Sequence, residues 1–176
     1  MKFLVVVDMQ NDFIDMALGT EEAKKIVPAA VKRIVEAKAN GYRILVTKDT
    51  HYNNYMDTQE GKRLPVPHCI ENTEGWELNK EIAEAVGDAK CFCKKTFGST
   101  ELMEFMKAEN EKNPVEEIEL IGLCTDICVI SNALLLKAAL TETEIKVNAE
   151  CCAGVTPQTH NNALEAMKMC QVTIKQ

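Results

Sequence analysis

The sequence predicts an α/β fold in which helices cover both faces of a mostly parallel, six-stranded sheet, a Rossmann-like three-layer α/β/α sandwich. Short runs rich in β-branched and aliphatic residues alternate with longer segments whose apolar residues recur three and four positions apart. Such an alternation favours parallel strands joined by crossover helices. The chain has 176 residues, 46% of them hydrophobic, and no obvious linker, so we expect a single domain over residues 1–176.

The strands are predicted from short runs of β-branched, aliphatic and aromatic residues, of which "FLVVV" is the first. The runs "YRILVTK", "AKCFCK", "EIELIGL", "EIKVNA" and "QVTIK" follow in that order along the chain. The six predicted strands span residues 3–7, 42–48, 89–94, 117–123, 144–149 and 171–175.

The helices are predicted between these strands, where apolar residues recur at helical spacing, as in "WELNKEIAEAV" and "TELMEFMKAE". Pro157 directly after Thr156 is typical of a helix start. The five predicted helices lie near residues 20–39, 77–86, 100–109, 126–140 and 157–169. Residues 49–76 differ, because this polar, turn-rich segment is too long for an ordinary connection and is predicted to serve a function.

The charge and the apolar runs exclude several classes of partner. The net charge is −7 and the pI is about 5.1, with no basic stripe of the kind that binds nucleic acid. The N-terminal run lacks the length and cleavage site of a signal peptide, and no stretch approaches the ~20 apolar residues of a membrane span. We therefore expect a cytoplasmic protein with no nucleic-acid or membrane partner. Its eight cysteines should be mostly reduced thiols.

Polar residues follow four of the predicted strands, at the point where each strand ends. In open parallel sheets, ligands bind outside the carboxyl ends of the strands, so these residues are candidates for one shared site. The candidates are Asp8 after the first strand, Asp49 and His51 after the second, Lys94 and Lys95 at the end of the third, and Cys124 and Cys128 after the fourth.

The two cysteines of "GLCTDICVISNA" differ in their predicted placement. If Thr125 caps the helix that follows, Cys128 lies in its first turn, where free amides and the helix dipole favour a thiolate. Asp8 is a candidate base, and a nearby lysine could hold the ionised groups. We therefore expect Cys128 to have a lowered pKa, Cys124 to form part of the turn, and His160 to be a surface residue of a helix.

Several motifs taken together resemble a known family. The runs "VVVDMQNDF", "KDTH", "PHC" with "TEGWEL", "KKTFGST" and "GLCTDICVISNA" resemble, in this order and over nearly the whole chain, the cysteine hydrolases that include nicotinamidases and isochorismatases. The resemblance implies the isochorismatase-like fold and a catalytic triad of Asp8, Lys94 and Cys128. Lys94 is preferred to Lys95 because the family's lysine stands three residues before the aromatic that matches Phe97.

The resemblance also implies how the backbone near the triad is arranged. The peptide bond between Leu123 and Cys124 should be cis, and the backbone amides of Cys124 and Cys128 should form the oxyanion hole. Phe13 matches the aromatic residue that contacts the substrate ring in the family.

A metal site is implied by a further part of the resemblance. Nicotinamidase-like proteins carry Asp-x-His followed by a distant histidine before a cysteine, and Asp49, His51 and His68 match this pattern. One carboxylate and two imidazoles suit zinc, or else iron or manganese. The chain departs from many nicotinamidases at Asp57 and Pro65, which stand near the usual positions of a further histidine or serine and of a tryptophan.

The function that the resemblance implies is a cysteine amidohydrolase. It would release ammonia from a small carboxamide through a thioester on Cys128, and nicotinamide is the first substrate to test. One alternative is a metal-free member that hydrolyses another small amide or a vinyl ether, and a second is a non-catalytic binding protein on the same fold. The presence of Cys128 favours the amidase. Relatives are often dimers or tetramers, so a homo-oligomer is expected.

Overall fold

The computed structural model describes residues 1–176 and contains one sheet of six strands, all of them parallel. The predicted α/β fold is confirmed, and the sheet is wholly rather than mostly parallel. The strands are β1 (Lys2–Val7), β2 (Arg43–Asp49), β3 (Lys90–Lys94), β4 (Glu117–Leu123), β5 (Glu144–Ala153) and β6 (Thr173–Lys175).

Seven α-helices connect these strands. They are α1 (Asn11–Ile14), α2 (Glu21–Ala39), α3 (Gln59–Arg63), α4 (Lys80–Val86), α5 (Thr100–Lys112), α6 (Ile130–Ala139) and α7 (Pro157–Met169). A 3₁₀ turn at Tyr55–Asp57 precedes α3, and a π-helical turn at Thr125–Val129 leads into α6. None of these helices combines the length and the apolar character that a membrane span requires.

The core lies in two layers, one on each face of the sheet. On one face, Val5 and Val7 of β1 pack with apolar residues of α5, α6 and α7. On the other face, Leu4 and Val6 pack with α2 and α4. Because both faces are covered, β1 and β4 are buried almost throughout, and β1 is a near-continuous apolar run.

The strand order β3-β2-β1-β4-β5-β6 reverses direction between β1 and β4. In doubly wound sheets the ligand crevice opens at this reversal, outside the carboxyl ends of the two strands. Gly122 near the end of β4 allows the close approach. Its φ is +120°, and a Cβ there would lie 2.1 Å from the carbonyl oxygen of Val7. The fold thus creates a crevice where Asp8 and the cysteines of the β4 turn emerge.

The structure differs from the sequence prediction mainly at element ends and in residues 49–76. The fifth strand continues to Ala153 instead of ending at 149, the sixth begins at Thr173, and α4 begins at Lys80 rather than 77. The short helices α1 and α3 and the 3₁₀ turn were not predicted. Segments of three to five residues are too short to show a helical repeat, so periodicity does not detect them.

Candidate active site

The structure brings Asp8, Lys94 and Cys128 together from the ends of β1, β3 and β4. Lys94 Nζ lies 2.6 Å from Asp8 Oδ2 and 3.4 Å from Cys128 Sγ. All three side chains are buried. Lys95, in contrast, is exposed, and its Nζ lies 4.8 Å from the centroid of the Tyr52 ring. Of the two neighbouring lysines, only Lys94 reaches the thiol.

Asp8 has an unusual environment for a buried carboxylate. Its Oδ1 accepts a hydrogen bond from Thr47 Oγ1 at 2.7 Å, whereas Oδ2 has the Lys94 ammonium as an ion-pair partner but accepts no well-aligned hydrogen bond. Burial raises the pKa of Asp8, and the neighbouring Lys94 opposes this effect only in part. The backbone φ of Asp8 is +48°, a conformation that L-residues seldom adopt outside functional sites. Asp8 thus keeps one oxygen available for a proton beside the thiol.

Cys128 lies in the π-helical turn, buried in the crevice. Burial raises the pKa of its thiol, and the Asp8 carboxylate raises it further, while Lys94 opposes both. The predicted lowering of this pKa is therefore wrong. That prediction weighed the helix start and the lysine but not desolvation, which depends on tertiary packing. The raised pKa favours the neutral thiol, which must transfer its proton before it can act as a nucleophile.

Asn132 holds the turn that carries Cys128. Its Nδ2 donates to the carbonyl oxygens of Cys128 at 2.8 Å and of Phe97 at 3.2 Å, and its Oδ1 accepts from the amide of Ser99 at 2.9 Å. This fully buried side chain thus ties the Cys128 turn to the segment that follows β3 and Lys94. Asn132 lies within the motif "GLCTDICVISNA", but its role was not predicted.

The peptide bond between Leu123 and Cys124 is cis, as the family resemblance implied. Cys124 is the N-cap of the π-helical turn, and its carbonyl oxygen accepts hydrogen bonds from the amides of Ile127 and Val129. Its own amide donates no hydrogen bond to the backbone. An amide without an internal acceptor at the edge of the crevice is available to a ligand.

Thr125 and His160 differ from their predicted roles. Thr125 is fully buried and makes no capping hydrogen bond, because its hydroxyl lies 2.7 Å from His160 Nδ1. His160, on α7, is half-buried rather than a surface residue, and burial lowers its pKa. Gly154 packs against it so closely that an added Cβ would lie 2.9 Å from the backbone of His160. The contact of Thr125 with His160 joins α7 to the turn that carries the cysteines.

A cluster of possible metal ligands lies beside the triad. The ligand atoms of Asp49, His51, Glu60 and His68 all lie within 4.8 Å of one another. Asp49 Oδ2 is 3.1 Å from His51 Nε2 and 3.6 Å from His68 Nε2, and Glu60 Oε1 is 3.6 Å from His68 Nε2. Asp49 also reaches the triad, since its Oδ1 lies 3.4 Å from Lys94 Nζ.

Glu60 was missed by the sequence analysis, which named only the other three residues. It lies on α3, a one-turn helix within residues 49–76, and an acid in a polar segment gives no pattern of its own. Burial raises the pKa of Glu60, and the nearby Asp49 carboxylate raises it further. For Asp49, burial would raise the pKa, but the hydrogen bond with His51 and the nearby His68 and Lys94 overcome this effect and lower it.

The donor set fits a divalent cation. Two carboxylates that face each other with little solvent repel each other unless a cation lies between them. His68 Nδ1 lies 2.8 Å from the carbonyl oxygen of Val66, which leaves Nε2 directed at the cluster, the arrangement usual for metal-bound histidines. Carboxylate oxygens and imidazole nitrogens are ligands that zinc, iron and manganese accept.

Two side chains of the "DMQNDF" motif position this cluster. Gln10 donates to the carbonyl oxygens of Asp49 and Trp76 at 2.9 Å each, and accepts from the amide of Asp49 at 2.7 Å. Asp12 accepts from the amide of Cys69, next to His68, at 2.6 Å. Asp8, Gln10 and Asp12 are polar residues at every second position after β1. This spacing was the signal from which the positioning roles of Gln10 and Asp12 could have been inferred.

The triad thiol and the metal cluster open into one cavity of about 730 Å³. Phe13 lines this cavity and meets the His68 ring edge-on, with the ring centroids 5.5 Å apart. The aromatic ring, the thiol and the two histidines thus surround a common space.

The chain belongs to the isochorismatase family, because the Isochorismatase domain matches residues 2–176. This membership confirms the predicted family and the predicted class of enzyme, a hydrolase.

Three individual proteins are similar over nearly their whole length. The nicotinamidase of Saccharomyces cerevisiae is 24% identical over 214 residues, covering 99% of this chain and 99% of the relative. The nicotinamidase/pyrazinamidase of Mycobacterium tuberculosis is 23% identical over 188 residues, covering 99% and 98%. The solved structure of a pyrazinamidase of Pyrococcus horikoshii in complex with zinc is 28% identical, with a TM-score of 0.80 and coverage of 99% of this chain and 98% of that one.

Proposed function

We propose that residues 1–176 form a single amidohydrolase domain that releases ammonia from small aromatic carboxamides, in the manner of a nicotinamidase. The observation that carries the proposal is the contact of Lys94 with both Asp8 and Cys128 beside a cavity that holds a metal-ligand cluster. The nicotinamidase relatives support the same chemistry. The complete set of Asp8, Lys94 and Cys128 favours an enzyme over a non-catalytic binding protein.

The first half of the reaction forms a thioester. Asp8 Oδ2 takes the proton of the Cys128 thiol, and Sγ attacks the amide carbonyl carbon. The raised pKa of Asp8 makes it a stronger base for this transfer, whereas the raised pKa of the thiol opposes it, and Lys94 stabilises the charge whether it lies on the carboxylate or on the thiolate. The carbon–nitrogen bond then breaks, and protonated Asp8 returns the proton to the leaving nitrogen, which departs as ammonia.

The second half hydrolyses the thioester. Asp8, again ionised, takes a proton from a water molecule whose oxygen attacks the acyl carbon. The carbon–sulfur bond breaks, the carboxylic acid is released, and the thiolate regains its proton. In both halves the carbonyl oxygen becomes an oxyanion, for which we propose the backbone amides of Cys124 and Cys128 as donors.

The metal-ligand cluster would hold a divalent cation, zinc first and iron or manganese as alternatives, through Asp49, His51, Glu60 and His68. Such a cation would bind a ring nitrogen of the substrate or polarise a water molecule. Phe13, on the cavity wall, offers an aromatic surface against which the substrate ring can lie. Gln10 and Asn132 act as positioning residues, since they fix the segments that carry Asp49 and Cys128.

The experiment is an ammonia-release screen of small carboxamides, with and without added zinc, iron or manganese. We expect nicotinamide to be hydrolysed and benzamide, which has the same shape but no ring nitrogen, to be much poorer. His51→Ala should reduce this difference. Equal rates for the two amides, or a protein that holds no metal and gains nothing from it, would favour a metal-free member of the family acting on another amide or a vinyl ether.

Two further features of the protein stay proposals. We propose that the protein is cytoplasmic and forms a homo-oligomer, a dimer or a tetramer. Sedimentation velocity of the purified protein tests the second point, and a monomer at all concentrations would contradict it.

A further inference from the structure

The cavity is larger than a single-ring amide requires. Its volume of about 730 Å³ lies within the range of roughly 300–1,000 Å³ that is typical of pockets for drug-sized ligands. Nicotinamide consists of one six-membered ring and a carboxamide. With such a head bound between Phe13, His68 and Cys128, the outer part of the cavity remains unused.

The walls of this outer part are apolar and exposed. Eight large hydrophobic side chains of the protein are exposed, and four of them line this one cavity. These four are Tyr52, Leu64, Phe97 and Val155. Phe97 is 46% exposed and Val155 51% exposed, whereas Cys128 is only 4% exposed, so these side chains form the mouth and the thiol lies at the deep end. A cluster of exposed apolar side chains around a concave site indicates a binding surface.

Two cations also line the cavity. Arg63, the last residue of α3, and Lys95, which follows β3, are both exposed, and neither forms a salt bridge. The two acids of the cavity wall, Asp49 and Glu60, belong to the metal-ligand cluster. In a protein whose net charge is −7, the mouth therefore carries two cations without ion-pair partners, and the carboxylate of Asp126, beside Val155, accepts the amide hydrogen bond of Val155 instead. Such a mouth attracts anions.

We propose that the preferred substrates are aromatic carboxamides extended by an apolar group that ends in an anion, a carboxylate or a phosphate. The carboxamide head lies over Cys128, the apolar extension packs against Phe97 and Val155, and the anion meets Arg63 and Lys95. This inference rests on the proposed function, because it assumes that the head is hydrolysed at Cys128. It adds a specificity that a nicotinamide pocket does not need.

The experiment compares two amides that share a nicotinamide head bearing a phenyl substituent. In one the phenyl ring carries a carboxylate, and in the other it carries a neutral hydroxymethyl group. We expect kcat/KM for the carboxylate to exceed that for the neutral amide by about three- to tenfold at low salt, the effect of two partly exposed ion pairs. The ratio should fall as ionic strength rises.

Variants assign the effect to the mouth. Arg63→Ala and Lys95→Ala should each lower the ratio of the two kcat/KM values. The double variant with Arg63→Glu and Lys95→Glu should bring this ratio below one. Lys62→Ala is the matched control, because Lys62 is exposed on the same helix but does not line the cavity, and it should leave the ratio unchanged.

The inference fails if the wild-type ratio is one or less, or if the Arg63 and Lys95 variants do not change it. It also fails if both extended amides react far more slowly than nicotinamide. In that case, the molar masses of the wild type and of Phe97→Ser, measured by light scattering, would show whether a second copy of the chain covers the mouth. If no amide is hydrolysed at all, calorimetry with the two extended amides and Cys128→Ala still measures the preference for the anion. Loss of the proposed function is thereby distinguished from loss of this inference.

Discussion

Two buried ion pairs in the same sheet differ in how completely they are hydrogen-bonded. In the middle of β4, Glu119 accepts two hydrogen bonds from Arg33, from Nε at 2.8 Å and from Nη2 at 2.7 Å, and a third from Asn148 at 3.2 Å. At the end of β1, Asp8 Oδ2 forms an ion pair with the Lys94 ammonium and accepts no well-aligned hydrogen bond. Both carboxylates are almost fully buried.

The pKa values of the two acids shift in opposite directions. Burial would raise the pKa of Glu119, but its hydrogen bonds to Arg33 overcome this effect and lower it. For Asp8, burial prevails and the pKa is raised. A satisfied ion pair holds its proton state fixed and stabilises one structure, whereas an incompletely satisfied one can accept a proton during a reaction. The comparison predicts that substitutions in the first pair affect stability and those in the second affect turnover.

The largest expected effect is on turnover. Cys128→Ala, Asp8→Asn and Lys94→Ala should each lower kcat/KM for the best amide by about 10³-fold or more, because the three groups act as a unit. Double variants should be little worse than single ones. The matched controls are Cys170→Ala, Asp88→Asn and Lys90→Ala, all exposed, which should keep normal activity. Substantial activity in Asp8→Asn would point to another base.

The next effect is on stability. Glu119→Gln leaves Arg33 buried without its partner and should lower the free energy of unfolding by about 3–5 kcal/mol, measured by urea denaturation. Glu21→Gln, which breaks an exposed pair with Lys24, should change it by less than about 1 kcal/mol. Because the folded-state pKa of Glu119 is lowered, its contribution is present above the ordinary glutamate value of 4.5 and is lost as the pH falls below it. An unchanged stability in Glu119→Gln would contradict the structural role.

A smaller effect is expected in the metal-ligand cluster, where the carboxylates of Glu60 and Asp49 lie close together. Glu60→Gln should weaken zinc binding by about 10–100-fold, measured by competition with a chromogenic chelator. Glu74→Gln, an exposed change in the same 49–76 segment, serves as the control. Equal zinc affinity in Glu60→Gln and the wild type would leave only the three ligands that the sequence predicted.

The smallest effect is a shift in the pH profile. Asp8 must be ionised to take the thiol proton, and its pKa is raised, so kcat/KM should fall on the acid side with a midpoint above the ordinary aspartate value of 3.8. The profile is recorded with excess zinc, and the bound metal is measured at each pH, so that loss of metal is not mistaken for protonation. A midpoint at or below the ordinary value would show that Asp8 is not the base.

The sequence predicted the sheet, and a set of candidate residues at strand ends, from local patterns, whereas the family resemblance selected the triad from that set. Apolar runs mark the strands, and Asp8, Lys94 and Cys128 stand where three of them end. The role of Asp49, His51 and His68 as candidate metal ligands was predicted only through the family resemblance. The fourth member of the candidate cluster, Glu60, had no matching motif and was missed.

Other features could not be predicted because they depend on tertiary packing. The raised pKa of Cys128 results from burial and from the Asp8 carboxylate, and Asp8 and Cys128 are far apart in the chain. The contact of Thr125 with His160 joins two elements separated by 35 residues, so each was assigned a local role, as a cap and as a surface residue. Of the cations at the cavity mouth, Arg63 belongs to a segment with no motif and Lys95 was considered only as an alternative to Lys94, so only the folded chain brings them to one opening.

The claim that Cys128 carries the acyl group is tested most directly by adding hydroxylamine during nicotinamide turnover. A thioester intermediate reacts with this nucleophile, so we predict that the wild type forms the hydroxamate alongside nicotinate and that the hydroxamate increases with hydroxylamine concentration. Cys128→Ala and Asp8→Asn should form neither product at a comparable rate. Rapid hydrolysis that yields nicotinate alone at every hydroxylamine concentration would contradict the account.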